Sequence, residues 1–308
     1  MNYEQLITEL ALADERFIIM TAENRALIRN IPNNPALANR FVDTGITEQT
    51  MIGMAAGLAL RGRIPVVHAL AAFLTMRAFE FIRTDVGIAN LPVKLTGFIP
   101  GLLSDGNGPT HQAIEDVSIM RGIPGMQVFA PADEEDMLLM LPAIWKSNYP
   151  AYTRANLIKP LYRHDKNFVI GKAEVVAEPS TVTFLVYGML FNQVLQAKEI
   201  LEAHGHSVGL VNMRSLKPVD EQIIIDAAKQ SELVVIVEDH FKIGGLYSIV
   251  AEVLLKHQLT ANVHSISLQH KWFKAARLSE VLEHEDFTPK KIAAQTILAL
   301  ESTSKVRI

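Results

Sequence analysis

Five consecutive aliphatic residues, Leu233-Val234-Val235-Ile236-Val237, leave a strand no polar face to turn toward water. A strand of that kind is buried on both sides, as in parallel sheets covered by helices. Further apolar runs recur at residues 17–20, 65–69, 93–97, 127–129, 150–152, 182–187, 207–211 and 263–267. Helical patterns lie between most of them. The alternation predicts an α/β chain whose sheets are mostly parallel and flanked by helices.

With 308 residues, the chain has the length for about two such units. Residues 156–180 hold Pro160, Lys166, Gly171 and Pro179 and show little periodicity, which marks a boundary. We therefore expect domains at 1–165 and 166–308. Apolar residues make up 49% of the chain and its formal net charge is −4, with no long basic run. That balance argues for a globular protein and against nucleic acid as a partner. The chain has no cysteine, which excludes disulfides and thiolate chemistry and fits the cytoplasm. The acidic first 17 residues read as an amphipathic helix rather than a signal peptide. No apolar stretch is long enough to predict a membrane span.

Three segments carry candidate chemistry. In Thr44-Gly45-Ile46-Thr47-Glu48, the glycine suits a turn and Thr47 suits an N-cap. Glu48 then enters the first turn of a helix running to about Arg61 and stopped by Gly62, with Met51, Ala55 and Leu58 toward the core. Read alone, such a glutamate only complements the helix dipole. In Asp105-Gly106-Asn107-Gly108-Pro109-Thr110-His111-Gln112, two glycines let the backbone approach a ligand. Thr110 is placed to start a helix carrying Ile114 and Val117, which would put His111 at its N-terminus. The plain alternative is a surface turn. Phe73, just after an apolar run, either stacks on a flat heterocycle or belongs to the core.

Taken together, the order and wording of these segments resemble a known group. GITEQTMIGMAAGLALRG, RAFEFIRTDV, GNGPTHQAIEDVSIMRGIPGMQVFAPAD and AYTRANL resemble the pyrimidine-binding domain of transketolases and deoxyxylulose-phosphate synthases. NMRSLKPVDEQII and EDHFKIGGLYSIVAEVL resemble the transketolase C-terminal domain. The resemblance implies a thiamine diphosphate enzyme in which Glu48 binds the 1′ nitrogen of the aminopyrimidine and so activates the cofactor. It implies that Ile46 lines the cofactor, that Phe73 stacks on its pyrimidine, and that Leu70 or Ala71 stands where a second aromatic is often found. His111 matches a histidine that contacts the donor sugar, and Arg154 an arginine that binds its phosphate or chain. Asn107 replaces an aspartate that reads a sugar hydroxyl, with Asp105 nearby.

The departures are informative. The GDG…N motif that holds the diphosphate and Mg²⁺ in this group does not occur, so no metal ligands are assigned here. The resemblance then implies one half of a split enzyme in an α2β2 heterotetramer, with the metal ligands on an N-terminal transketolase subunit. A sugar-binding histidine of the group falls near Ile99, and an arginine on the first helix has no counterpart; Arg25 is placed to substitute for it. Two other enzymes remain open: half of a deoxyxylulose-phosphate synthase, and the beta subunit of a 2-oxo acid dehydrogenase's decarboxylating component. A non-catalytic regulatory subunit is the alternative outside enzymes.

Overall fold

The computed structural model describes all residues except Asn24, Ala26, Asp105, His270, Arg307 and Ile308, with residues 303–306 described by backbone alone. Its strands are β1 (Phe17–Thr21), β2 (Phe41–Asp43), β3 (Ile64–Leu70), β4 (Lys94–Phe98), β5 (Gln127–Phe129) and β6 (Ala151–Ala155) in the first half of the chain. They continue with β7 (Glu174–Ala177), β8 (Val182–Val186), β9 (Val208–Asn212), β10 (Ser215–Lys217), β11 (Leu233–Phe241) and β12 (Val263–Leu268). They form a seven-stranded sheet ordered β10-β5-β6-β4-β3-β1-β2 and a five-stranded sheet ordered β12-β11-β8-β9-β7. The β10–β5 and β7–β9 pairings at one edge of each sheet are antiparallel, and the other pairings are parallel. All nine predicted runs become strands, and the two-domain α/β architecture is the observed one.

Burial on both faces follows the strand period of two. Ile64 and Val66 of β3 pack with Phe17 and Trp145 on one side of the first sheet. Val67 and Ala69 pack on the other side with Met51, Ile52 and Ala55 of the helix Glu48–Leu60. The first of these faces is closed by the helices Tyr3–Ala13 and Glu134–Lys146, through Ile7 and Met140. Each large side chain buried this way contributes roughly 1.5–3 kcal/mol. Residues 3–13 form the expected amphipathic helix, and a capping box between Asn2 and Gln5 satisfies its first donors.

Sequence patterning did not reveal β2, β7 and β10, which are short and mix polar with apolar residues. β10 lies in the C-terminal half of the chain but completes the first sheet by pairing with β5. β11 runs four residues past its apolar core, carrying Glu238, Asp239 and His240 into full burial. Among the described residues, no helix is long and apolar enough to cross a membrane.

Candidate active site

The candidate residues gather at the carboxyl ends of the first sheet's strands. Glu48 follows β2, Phe73 follows β3, Asn107 and His111 lie on the loop after β4, and Arg154 ends β6. The strand order reverses between β1 and β3, which opens a crevice of the kind α/β sheets use for ligands.

Gly45, at φ +70°, turns the chain from β2 into the helix Glu48–Leu60. Thr47 holds the N-cap position, but its hydroxyl donates to the Thr44 carbonyl at 2.9 Å instead of capping the helix. Glu48 is 2% exposed, yet it is ionically partnered. Arg77 Nη1 donates to both of its carboxylate oxygens, at 3.1 and 2.9 Å. The same guanidinium lies 4.1 Å from the centroid of the Phe73 ring. Phe73 in turn meets His111 edge to face, with centroids 4.9 Å apart. Glu48, Arg77, Phe73 and His111 therefore form one continuous contact path. Sequence reading missed Arg77; the signal was its spacing of four from Phe73 in a segment that follows a buried strand.

The loop after β4 differs from its expected form. No helix starts at Thr110; the helix spans Asp116–Arg121. The backbone before it is drawn into other pairings: Gly101 bridges Ala113, and the Ile114 carbonyl accepts from Phe241 N–H. His111 is consequently on a loop, with Nδ1 2.8 Å from the Thr110 hydroxyl. Next to it, the Gln112 amide is 1% exposed, and neither its oxygen nor its nitrogen has a hydrogen-bond partner among the described residues. Buried polar groups are normally paired, so this amide keeps spare hydrogen-bonding capacity beside His111. Asn107 is exposed, with its amide 3.5 Å from the Ser104 hydroxyl; Asp105 lies outside the described residues. Ile46 is 69% exposed at the entry to the Glu48 helix. Leu70 packs into the core face that contains Trp145, whereas Phe73 packs with Ala71, Ala72 and Ala113 on a separate cluster.

Arg154 is not placed to bind a sugar phosphate. It is 1% exposed. Its Nε donates to Asp116 at 2.9 Å and its Nη1 to Asp239 of β11 at 2.7 Å. Nη2 donates to the Ala113 carbonyl at 3.3 Å. The Tyr152 hydroxyl also donates to Asp116, at 2.6 Å. Burial and its two carboxylate neighbours leave the Arg154 guanidinium fully engaged in a clamp between the sheets. Gly101 sits against that clamp at φ +59°, where an added Cβ would fall 1.6 Å from Asp239 Oδ2. The Arg25 side chain is 49% exposed, and its Nε donates to Asp43 at 2.9 Å in a surface pair.

The family profile described as the transketolase pyrimidine-binding domain matches residues 2–160, and the profile described as the transketolase C-terminal domain matches residues 171–292. The chain belongs to the transketolase family. Among relatives of this transketolase-family chain is the 6-deoxy-6-sulfo-D-fructose transketolase subunit SqwH of Clostridium sp. (strain MSTE9). It is 36% identical over 256 residues, covering 82% of this chain and 79% of the relative. A 1-deoxy-D-xylulose-5-phosphate synthase of Synechococcus sp. (strain JA-2-3B'a(2-13)) is 36% identical over 282 residues; the match takes in 90% of this chain but only 43% of that enzyme. The solved structure titled "Split gene transketolase, inactive beta4 tetramer" superposes with a TM-score of 0.86 at 31% identity, covering 98% of this chain and 96% of that one.

Transketolase membership implies dependence on thiamine diphosphate, and the residues present suit its pyrimidine end. A buried carboxylate is joined through Arg77 to an aromatic ring that meets the histidine, and the Gln112 amide next to it has no partner among the described residues. They do not suit its metal. One His/carboxylate group with metal-like spacing occurs among the described residues: Asp136, His164 and Glu174. Its donors are already occupied. His164 Nδ1 lies 2.7 Å from Glu174 and Nε2 lies 3.0 Å from Asp133. Arg214 donates to Asp136 at 2.9 Å, and Asn212 bridges Asp136 and Glu174. Burial alone would lower the His164 pKa, but its hydrogen bonds to Asp133 and Glu174 outweigh that and raise it to about 10. The imidazolium and Arg214 are the cations of this cluster, and they tie the helix Glu134–Lys146 to β7 and β9.

Proposed function

We propose that this chain is the catalytic half of a split, thiamine-diphosphate-dependent transketolase, moving a two-carbon ketol unit from a ketose or ketose phosphate to an aldose. One observation carries the reading: Glu48 is buried and linked through Arg77 to Phe73 and His111 at the carboxyl ends of a transketolase-family sheet. Glu48 is the hydrogen-bond partner of the aminopyrimidine's 1′ nitrogen, and Phe73 gives that ring a face to stack on. Bound thiamine diphosphate would supply the carbanion chemistry. His111 donates to an oxygen of the donor sugar, and the Gln112 amide, unpaired among the described residues, helps orient it.

Mg²⁺ and the diphosphate belong, in this proposal, to an N-terminal transketolase subunit, with the site completed between chains of an α2β2 heterotetramer in the cytoplasm. The exposure of Ile46 (69%) and of Met54 (44%), on the same helix and its entry turn, favours a covering partner there. The names of the SqwH subunit and of the split-gene transketolase support a separate subunit. The identity to deoxyxylulose-phosphate synthase keeps one second reading, half of such an enzyme.

Co-purification with the partner, followed by a donor and acceptor screen with Mg²⁺ and thiamine diphosphate, tests both readings. Xylulose 5-phosphate or 6-deoxy-6-sulfofructose with an aldose acceptor reports ketol transfer. Pyruvate with glyceraldehyde 3-phosphate reports the synthase reaction. A well-assembled complex inert toward every pair removes the proposal.

A further inference from the structure

Arg77 has no part in the chemistry above, yet it occupies the two surfaces that chemistry needs. Its guanidinium covers Phe73 at 4.1 Å and donates twice to Glu48. A flat heterocycle stacked on that face of Phe73 and bonded to Glu48 requires the same space. The Arg77 side chain is 40% exposed while that of Glu48 is 3% exposed, so one end of the pair is locked and the other can swing into solvent. The backbone that presents Arg77 is unusual. Residues Phe73–Arg77 and Ile82–Gly87 are π-helical, flanking the short turn Phe79–Phe81. π-Helical turns are rare, and they concentrate where function outweighs regular helix geometry.

We propose that Arg77 is a latch on the cofactor site. In the chain without cofactor it neutralises the buried Glu48 carboxylate and shields Phe73, and it swings out when the aminopyrimidine enters. The inference rests on the reading of Glu48 as the cofactor's partner. A buried carboxylate left without its cation is costly, so the latch stabilises the empty chain. It also weakens the apparent cofactor affinity, which is reduced by the fraction of molecules whose latch is open. A residue that instead held the cofactor would have the opposite effect on affinity.

The test is a calorimetric titration of thiamine diphosphate with Mg²⁺ into the assembled complex, comparing wild type with Arg77→Met, Arg77→Lys and Arg77→Met/Glu48→Gln. Arg77→Met keeps the aliphatic stem and should bind about five-fold tighter or better. Arg77→Lys, with one ammonium in place of a stacking fork, should bind tighter by a smaller factor. Without cofactor, Arg77→Met should unfold at lower denaturant than wild type, and adding Glu48→Gln should recover most of that loss. If wild type binds and neither single variant binds tighter, the latch is wrong while the reading of Glu48 stands. If the wild-type complex does not bind thiamine diphosphate, that reading fails and the latch with it. Should Arg77→Met not fold, the Arg77→Lys titration decides alone.

Discussion

Arg154 at the end of β6 and Asp239 near the end of β11 are joined at 2.7 Å, and each side chain is 1% exposed. Two residues 85 positions apart thus clamp the two sheets together directly beneath the loop that carries His111. Asp116 completes the clamp from the first sheet's side.

Arg154→Met should therefore damage the fold before it damages catalysis. Removing the cation leaves Asp116 and Asp239 buried and facing each other, at a cost of roughly 3–5 kcal/mol. A fall in the denaturant midpoint is expected, and Gly101→Ala should move it the same way because its Cβ collides with Asp239. A variant of normal midpoint whose sugar-phosphate KM alone rises would restore Arg154 to the substrate site.

Stability should depend on alkaline pH through His164. Its pKa is near 6.5 when unfolded and about 10 in the fold. The stabilisation from its contacts with Asp133 and Glu174 is then fully present below about pH 6.5 and is lost as pH rises through 10. Thermal melts from pH 7 to 10 should decline in wild type and decline less steeply in His164→Gln, which starts lower. Parallel curves for the two proteins would show that His164 is not the group responsible.

Glu48→Gln should leave the chain folded and the complex nearly inactive. An amide can still hydrogen-bond but cannot stabilise a proton on its partner nitrogen. Deuterium exchange at the thiazolium carbon of bound thiamine diphosphate should slow by about 10²-fold or more. Exchange at the wild-type rate in an assembled mutant would remove Glu48 from its assigned role.

The substrate anion, if there is one, should not be held by the arginines expected for it. Arg154 is spent on Asp116 and Asp239, Arg25 is paired with Asp43 at the surface, and the place of a sugar-binding histidine is near Ile99. We expect a donor without the usual pentose phosphate, or one whose anion is bound by the partner chain. A kcat/KM near about 10⁴ M⁻¹s⁻¹ or better for xylulose 5-phosphate with ribose 5-phosphate would return this enzyme to ordinary transketolase specificity.

Local patterning was enough to determine the strands with both faces buried, because a run such as residues 233–237 admits few other environments. It also determined the helix behind Glu48, whose turn glycine and core spacing are local properties. The wording of the motifs determined the family. What lay beyond the sequence depended on neighbours far along the chain. β10 joins the first sheet because β5 offers an edge, and the helix expected at Thr110 is displaced because Gly101 and Phe241 take its backbone groups. Arg154 and Arg77 look equally free in the sequence. Only the tertiary fold decides that one is sealed between Asp116 and Asp239 while the other lies across Glu48 and Phe73, since a charged side chain takes its role from whichever opposite charge the fold brings within reach.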